Sequence, residues 1–295
     1  MRDLTQLLVR NRVQRRTIGR FIFLCRTHVQ PQPLSEGIIA LNGYQMVSSK
    51  IISLALILLI NPIWSLSAAG QTLSHEQCVH HAQRKPFAAA DFAKKWLASG
   101  GGVQAEHCLA IALLNQGETR DAATRLEALP ERIKGNGPQA HNMRINATLQ
   151  AAHAWLSTGE AERADKLFSK GLFNRPKDPE IWIDRAVARV QLKRYWDAVD
   201  DFGEALDLDP NSVDALTYRA VTYRYLEILD LARDDIEKAV SIAPLNPGVL
   251  LERGLLSHLE GKAEQARQDW ETVIKVAPGT PQAKSAVAFL KELLK

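Results

Sequence analysis

A period of 34 residues in the C-terminal half of the chain is the feature that most limits how it can fold. Shifting the sequence by this length superimposes four alanines, at Ala164, Ala198, Ala232 and Ala266. It also superimposes four prolines, at Pro176, Pro210, Pro244 and Pro278. A third set shares a large side chain, at Phe168, Phe202, Ile236 and Trp270, and a fourth a small one, at Ala152, Ala186, Ala220 and Gly254. A period of this length predicts a repeat protein.

Each repeat is predicted to contain two helices. In the third complete copy the first helix covers about residues 211–226 and the second residues 229–242. Pro244 ends the second helix because proline lacks a backbone N–H and disfavours a helical residue before it. One pair of helices cannot bury its apolar face alone, so the copies must stack. The predicted fold is all-α, an α-solenoid of about four to five stacked helix-turn-helix pairs.

The solenoid is expected to extend beyond the four clear copies. A further copy begins near Val103, and its alignment requires an insertion of eight residues, which the turn-rich segment 131–138 is predicted to hold. Residues 74–85 and 87–99 form a degenerate first pair. After Pro278, residues 280–294 predict one amphipathic capping helix that uses Val287, Leu290, Leu293 and Leu294.

These columns resemble the tetratricopeptide repeat. The residues that match its six characteristic positions in one copy are Trp182, Ala186, Ala198, Phe202, Ala205 and Pro210. The resemblance covers residues 145–278 and implies a concave groove, lined by the first helix of each pair, that binds a segment of a partner protein. The implied groove residues are Leu149, His153, Leu156, Ile183, Val187, Val190, Thr217, Val221, Arg224, Tyr225, Leu251, Leu255 and His258, with His107 and Ile111 upstream.

Two readings of the groove residues remain open, since first helices also bury apolar positions against their neighbours. For any single position, packing is the more common role. The Lys/Asn/Arg arrangement by which some tetratricopeptide proteins hold the C-terminal carboxylate of a chaperone is not found at these positions. A mainly apolar groove suits an amphipathic helix or an extended segment with apolar anchors.

A charged pair recurs with the repeat. Three copies carry an arginine followed by an aspartate sixteen residues later: Arg185 and Asp201, Arg219 and Asp235, and Arg253 and Asp269. The remaining copy has Ala151 and Leu167 instead. Because both charges are present or absent together, we expect a structural Arg–carboxylate contact, either within a repeat or between neighbours. The alternative is two independent solvated faces.

The cysteines and histidines cluster at the start of the solenoid. Cys78 and Cys108 fall on the first helices of the two N-terminal pairs, and stacking brings such helices together, which predicts a disulfide. Two buried thiols are the alternative. The only cluster that resembles metal ligands is His75, Cys78, His80, His81 and His107, but no Cys-x-x-Cys motif accompanies it. We interpret these as surface histidines beside a disulfide and expect no bound metal.

The N-terminal region predicts export. Residues 46–69 have the features of a signal peptide: Lys50, an apolar stretch at 51–60, and a small-residue end that favours cleavage after Ala69. Met46 is the expected initiator, which leaves residues 1–45 as an extension without a folded role and 70–295 as the solenoid. The alternative is an inner-membrane anchor, which would bring membrane contact through residues 51–66. Residues 70–295 are expected in the periplasm.

Charge and motifs exclude several functions. Of the 37 Lys and Arg residues, 8 lie in residues 1–69, together with 2 of the 33 Asp and Glu residues, so the remainder has 29 basic and 31 acidic residues. This balance gives no reason to expect nucleic-acid binding. Nucleophile-elbow, zinc-protease, phosphate-loop and dinucleotide motifs are absent. The expected function is a non-enzymatic protein-binding scaffold without a cofactor. The alternatives are a membrane-anchored envelope assembly factor and a metal-binding or catalytic protein that uses the cluster from His75 to His107.

Overall fold

The computed structural model describes residues 74–293, and this part of the chain contains thirteen helices and no strand. In chain order the helices are α1 (His75–Arg84), α2 (Pro86–Ala98), α3 (Gly102–Gln116), α4 (Thr119–Arg132), α5 (Pro138–Ser157), α6 (Ala161–Asn174), α7 (Pro179–Gln191), α8 (Tyr195–Leu208), α9 (Val213–Tyr225), α10 (Leu229–Ile242), α11 (Pro247–Leu259), α12 (Ala263–Val276) and α13 (Pro281–Leu293). The predicted extension 1–45 and signal peptide 46–69 lie outside the described residues.

The arrangement is a solenoid of consecutive helix pairs, and the all-α prediction is confirmed. Helices adjacent in the chain pack against each other, and the first helices of successive pairs, such as α9 and α11, are also in contact. The third predicted pair corresponds to α9 and α10, whose bounds differ from the prediction by at most two residues. Five pairs, from α3 with α4 to α11 with α12, follow the shorter pair α1 and α2 and precede α13.

Local sequence signals place the helix ends. The Ser74 hydroxyl accepts from the Gln77 backbone N–H, and the Gln77 side chain accepts from the Ser74 N–H, which forms a capping box at α1. Asn246 caps α11 by accepting from two backbone N–H groups, and Pro247 follows it at the first helical position. These signals repeat because each first helix must start after the turn that ends the previous repeat.

The repeating columns form the core. The four alanines of the Ala164 column are fully buried, and so are Phe168, Phe202 and Ile236. The last copy differs, since it has Gly254 and Trp270 where the other copies have alanine and either phenylalanine or isoleucine. A Cβ atom on Gly254 would collide with the Trp270 indole, so the smaller residue makes room for the larger one. The Trp270 Nε1–H donates to the Leu251 carbonyl at 3.3 Å and thereby holds the ring in place.

The eight-residue insertion lengthens a helix, which differs from the prediction of a turn-rich segment at 131–138. Helix α4 ends at Arg132, and only residues 133–137 connect it to α5. Helix α5 has 20 residues, whereas its counterpart α7 has 13. Pro138 suits the start of this helix, because its fixed φ and missing N–H fit the first helical position. Arg144 then donates to the carbonyls of Ile133 and Gly135 and holds the connection against α5.

Helix α13 caps the last pair. Ala283 and Ala286 are buried, and Phe289 lies against Trp270 with ring centroids 5.2 Å apart. Leu290 and Leu293 pack against this cluster while partly exposed. Val287, which was expected on the packed face, is one of the exposed apolar residues. The packed face is therefore narrower than the sequence suggests, and small residues provide its centre.

Candidate functional site

The candidate site is the row of first helices α3, α5, α7, α9 and α11. Polar contacts connect α3 to α5 and α5 to α7, while the backbones of α7, α9 and α11 pack directly. The row is therefore continuous along the solenoid. It carries every side chain that the repeat pattern assigns to the groove.

Most of the expected groove residues are buried in this row. Eight of the thirteen are covered by neighbouring helices: Leu149, Leu156, Ile183, Val187, Val190, Thr217, Val221 and Leu251. Upstream, His107 and Ile111 are covered as well. A partner can contact the eight only if the helices move. The expectation of a groove lined by all thirteen is too broad for this conformation.

The accessible positions concentrate at the C-terminal end. Arg224, Tyr225 and Leu255 are half-buried, and His258 is exposed. Leu259, which the repeat pattern did not assign, is 54% exposed and lies one residue beyond His258 on α11. We call the residues Tyr225, Leu255, His258 and Leu259 the C-terminal patch. It lies on the adjacent helices α9 and α11.

Aromatic contacts hold Tyr225 in place. Its ring stacks on that of Tyr195 from the preceding repeat, with centroids 5.5 Å apart and planes 9° from parallel. The Arg224 guanidinium lies 5.0 Å from the Tyr225 ring centroid. A side chain held between two neighbours loses little conformational entropy when a partner binds. The patch therefore presents an ordered aromatic surface.

Buried polar contacts that the repeat pattern did not predict join the first helices. The His107 Nε2 atom lies 2.8 Å from Gln150 Oε1, and the His153 Nε2 atom lies 3.2 Å from Asp184 Oδ2. In the third contact the Arg224 Nε–H donates to Glu252 Oε1 at 2.6 Å. Gln150, Asp184 and Glu252 share one column of the repeat, in which the third copy has Tyr218, but their partners lie at other columns.

Burial shapes the electrostatics of the last of these contacts. Glu252 is 2% exposed, and burial raises the pKa of its carboxyl, an effect that the Arg224 guanidinium opposes. The two opposite charges neutralise each other beside Tyr225 of the C-terminal patch.

The three Arg–Asp contacts are present, and each lies within one repeat. All three are two-point contacts: Arg185 donates to Asp201 at 2.9 and 2.7 Å, Arg219 to Asp235 at 2.7 and 2.7 Å, and Arg253 to Asp269 at 2.9 and 2.6 Å. Each contact joins the two helices of a pair. The three aspartates are buried, so the contacts lie inside the solenoid.

The first Arg–Asp contact extends into a network between repeats. Arg189 lies 2.8 Å from Asp201 and also donates to Asp165 of the preceding repeat at 3.1 Å. Burial raises the pKa of the Asp201 carboxyl, while the hydrogen bond from Arg185 lowers it. Arg194 donates to Asp165 at 3.1 Å and completes the link.

Cys78 and Cys108 form a disulfide in the structure, with Cα atoms 5.9 Å apart. Beside it, His75 Nε2 lies 2.9 Å from His107 Nδ1. His107 is buried, so the interpretation of the cluster as surface histidines is wrong for this residue. Burial, together with the neighbouring His75, lowers the pKa of His107 to about 4. Within residues 74–293, no three His, Cys, Asp or Glu side chains are placed to hold a metal ion.

The apolar stretch 51–66 lies outside the described residues. Among the helices of residues 74–293, none combines the length and the hydropathy that a membrane crossing requires.

Comparison with known sequences gives local matches. Sperm-associated antigen 1 from Mus musculus is 34% identical over 103 residues, which cover 35% of this chain and 11% of that protein. The SGT1 homolog from Oryza sativa subsp. japonica is 29% identical over 92 residues, covering 31% of this chain and 25% of that protein. The chain thus matches only a small part of each relative. No protein-family model matches it.

Comparison with solved structures shows similar folds at low sequence identity. PilF from Pseudomonas aeruginosa superimposes with a TM-score of 0.55 at 15% identity, covering 72% of this chain and 95% of that one. A thermophilic TPR protein from Thermus thermophilus gives a TM-score of 0.52 at 16% identity, covering 64% and 98%. The Cut9–Hcn1 structure of the APC/C gives 0.57 at 14% identity, covering 77% and 44%.

Proposed function

We propose that this chain, which has the fold of the tetratricopeptide-repeat proteins, is a non-enzymatic scaffold that binds a segment of a partner protein along its row of first helices. The observation that carries the proposal is the C-terminal patch, an ordered and accessible aromatic and apolar surface on the row. No cofactor is required for such binding.

The partner segment is expected to be an amphipathic helix with apolar anchors. Leu255, His258 and Leu259 lie within one turn of α11 and face the same side as one another. Tyr225 adds an aromatic contact from α9. Because Arg224 is already neutralised by Glu252, a charged anchor would gain little here. A helix presents apolar side chains three and four residues apart, which matches this spacing.

The test compares Leu255→Asp with a matched control, Val276→Asp. Both place a carboxylate at an accessible apolar position, but Val276 lies at the end of the second helix α12, outside the row. Crosslinking pull-down from the cell envelope should recover a partner with the wild type and the control, and at least about tenfold less with Leu255→Asp. Circular dichroism establishes that both variants are folded. Equal recovery with both variants would contradict the proposed surface.

We propose the periplasm as the location of residues 70–295. The disulfide supports an oxidising compartment, since such bonds persist there and are rare in the cytosol. The predicted signal peptide at 46–69 supports the same location. N-terminal sequencing of the exported protein should find a start near residue 70. If the chain is instead an anchored envelope assembly factor, residues 51–66 are retained and the protein stays with the membrane after an alkaline wash.

A further inference from the structure

Helix α1 is the first helix of the described residues, and its buried interface is small. It has ten residues and buries only Cys78, Val79 and Ala82. Isolated helices of this length are unstable in water, so α1 depends on its attachments. Every residue that forms an ion pair within residues 74–293 lies in the segment 106–271. Helix α1 ends before this segment, so none of these ion pairs attaches it.

Its neighbour α2 is attached differently. Ala89, Ala90 and Ala93 of α2 are buried, and Trp96 also packs against the core. The Gln116 side chain at the end of α3 donates to the Pro86 carbonyl at the start of α2 at 2.9 Å. Helix α2 therefore has an apolar interface and a hydrogen bond that do not involve the cysteines, and we expect it to stay in place when α1 is released.

Two specific linkages connect α1 to α3. The first is the disulfide between Cys78 and Cys108. The second is a chain of hydrogen bonds that runs from His75 through His107 to Gln150 on α5. The Gln150 oxygen can only accept, so His107 Nε2–H donates to it, and His107 Nδ1 then accepts from His75 Nε2–H. This order requires a neutral His107.

We propose that α1 is a redox-controlled latch: reduction of the Cys78–Cys108 disulfide releases α1 from α3 and uncovers His107 at the N-terminal end of the row of first helices. With the disulfide intact, any opening of α1 is followed by rapid return, because Cys78 stays bonded to the helix on which it packs. Without the disulfide, the three buried residues of α1 and one hydrogen-bond chain oppose the entropy that a released segment gains.

The reduction is an ordinary thiol–disulfide exchange with a dithiol. One thiolate of the dithiol attacks a sulfur of the disulfide and forms a mixed disulfide, and the second thiolate of the same dithiol then displaces the remaining cysteine. Two electrons and two protons pass to Cys78 and Cys108, and the reductant becomes a disulfide. Both cysteines are fully buried, so the attack takes place only when α1 opens.

The experiment uses the full chain with Cys25→Ser, so that the only cysteines are the bonded pair. Hydrogen–deuterium exchange followed by mass spectrometry compares the oxidised protein with the protein reduced by dithiothreitol, in which intact mass establishes two free thiols. Reduction should accelerate exchange in residues 75–84 by at least about tenfold and leave α7 to α12 unchanged. A variant with both cysteines replaced by serine should behave like the reduced protein.

A second measurement, an NMR titration of the imidazole resonances, reports on His107 itself. In the oxidised protein its imidazole should titrate near pH 4, and after reduction its pKa should move towards 6.5 as solvent reaches the ring. The His107→Gln variant identifies the resonance. Unchanged exchange in residues 75–84 with both thiols free would overturn the proposal. Equal acceleration throughout residues 74–293 would also overturn it, because that result indicates general destabilisation.

Discussion

Exchanging one glycine for alanine tests how the repeats adjust their packing. The perturbation is Gly254→Ala, which restores the residue that the other copies have at this column. In this copy the new Cβ would lie 2.7 Å from Cδ1 and 3.0 Å from Cε2 of the Trp270 indole. The indole is buried and hydrogen-bonded to the Leu251 carbonyl, so it cannot move aside freely.

The expected effect is a loss of stability despite a better helix former. Overpacking a core costs about 1–3 kcal/mol, while replacing glycine by alanine within a helix gains up to about 1 kcal/mol. The net loss should be about 1–2 kcal/mol of unfolding free energy. Gly203→Ala is the matched control, because Gly203 also lies inside a helix but a Cβ there meets no atom within 4 Å. That variant should gain about 0.5–1 kcal/mol.

A second substitution separates the clash from other causes. Trp270→Phe combined with Gly254→Ala rebuilds the pairing of Ala186 with Phe202 in an earlier copy. Urea unfolding followed by circular dichroism should show that the pair of changes costs about 1–2 kcal/mol less than the sum of the single changes. The reasoning is refuted if Gly254→Ala is as stabilising as Gly203→Ala, or if the two effects simply add.

Two further predictions concern charged and titrating groups. Arg219→Leu should lower the free energy of unfolding by about 3 kcal/mol in the wild type, because Asp235 is left buried without its partner. The loss should be much smaller in an Asp235→Leu background. Equal losses in this double-mutant cycle, measured by urea unfolding, would contradict the coupling. The free energy of unfolding should also fall in acid, because the pKa of His107 is about 4 in the folded protein and about 6.5 in the unfolded chain. Between these two values the unfolded chain binds more protons. About 3 kcal/mol of unfolding free energy is therefore present above pH 6.5 and lost as the pH falls to 4. The His107→Gln variant should lack this part of the pH dependence in urea unfolding, and a curve parallel to that of the wild type would contradict the assignment.

Most of the fold could be predicted from the repeat period of the sequence. The helix pairs, their stacking and the buried columns follow from residue size and proline placement, because each repeat imposes the same packing problem on its neighbour. The arginine and aspartate columns, represented by Arg219 and Asp235, are charged or uncharged together, and this also indicated their contact. That inference succeeded because both members belong to one repeat, where the two helices have a constant geometry.

The candidate site was less predictable. The repeat pattern indicates which side of a first helix a residue occupies, but burial depends on how closely the next helix approaches. Val187 and Leu255 occupy the same column, yet the first is covered and the second is half-exposed, because the row ends shortly after α11. The polar contacts of Gln150 and Glu252 join residues from adjacent repeats at different columns, so comparing copies at one column does not reveal them.

The amino-acid sequence by itself determined the kind of unit and its repetition, since short-range packing within 34 residues sets both. The tertiary structure alone decided which side chains remain accessible and which polar groups meet. It also decided that the inserted residues extend α5. These outcomes depend on the distance and rotation between successive pairs, which arise from the sum of many small contacts and have no local signature in the chain.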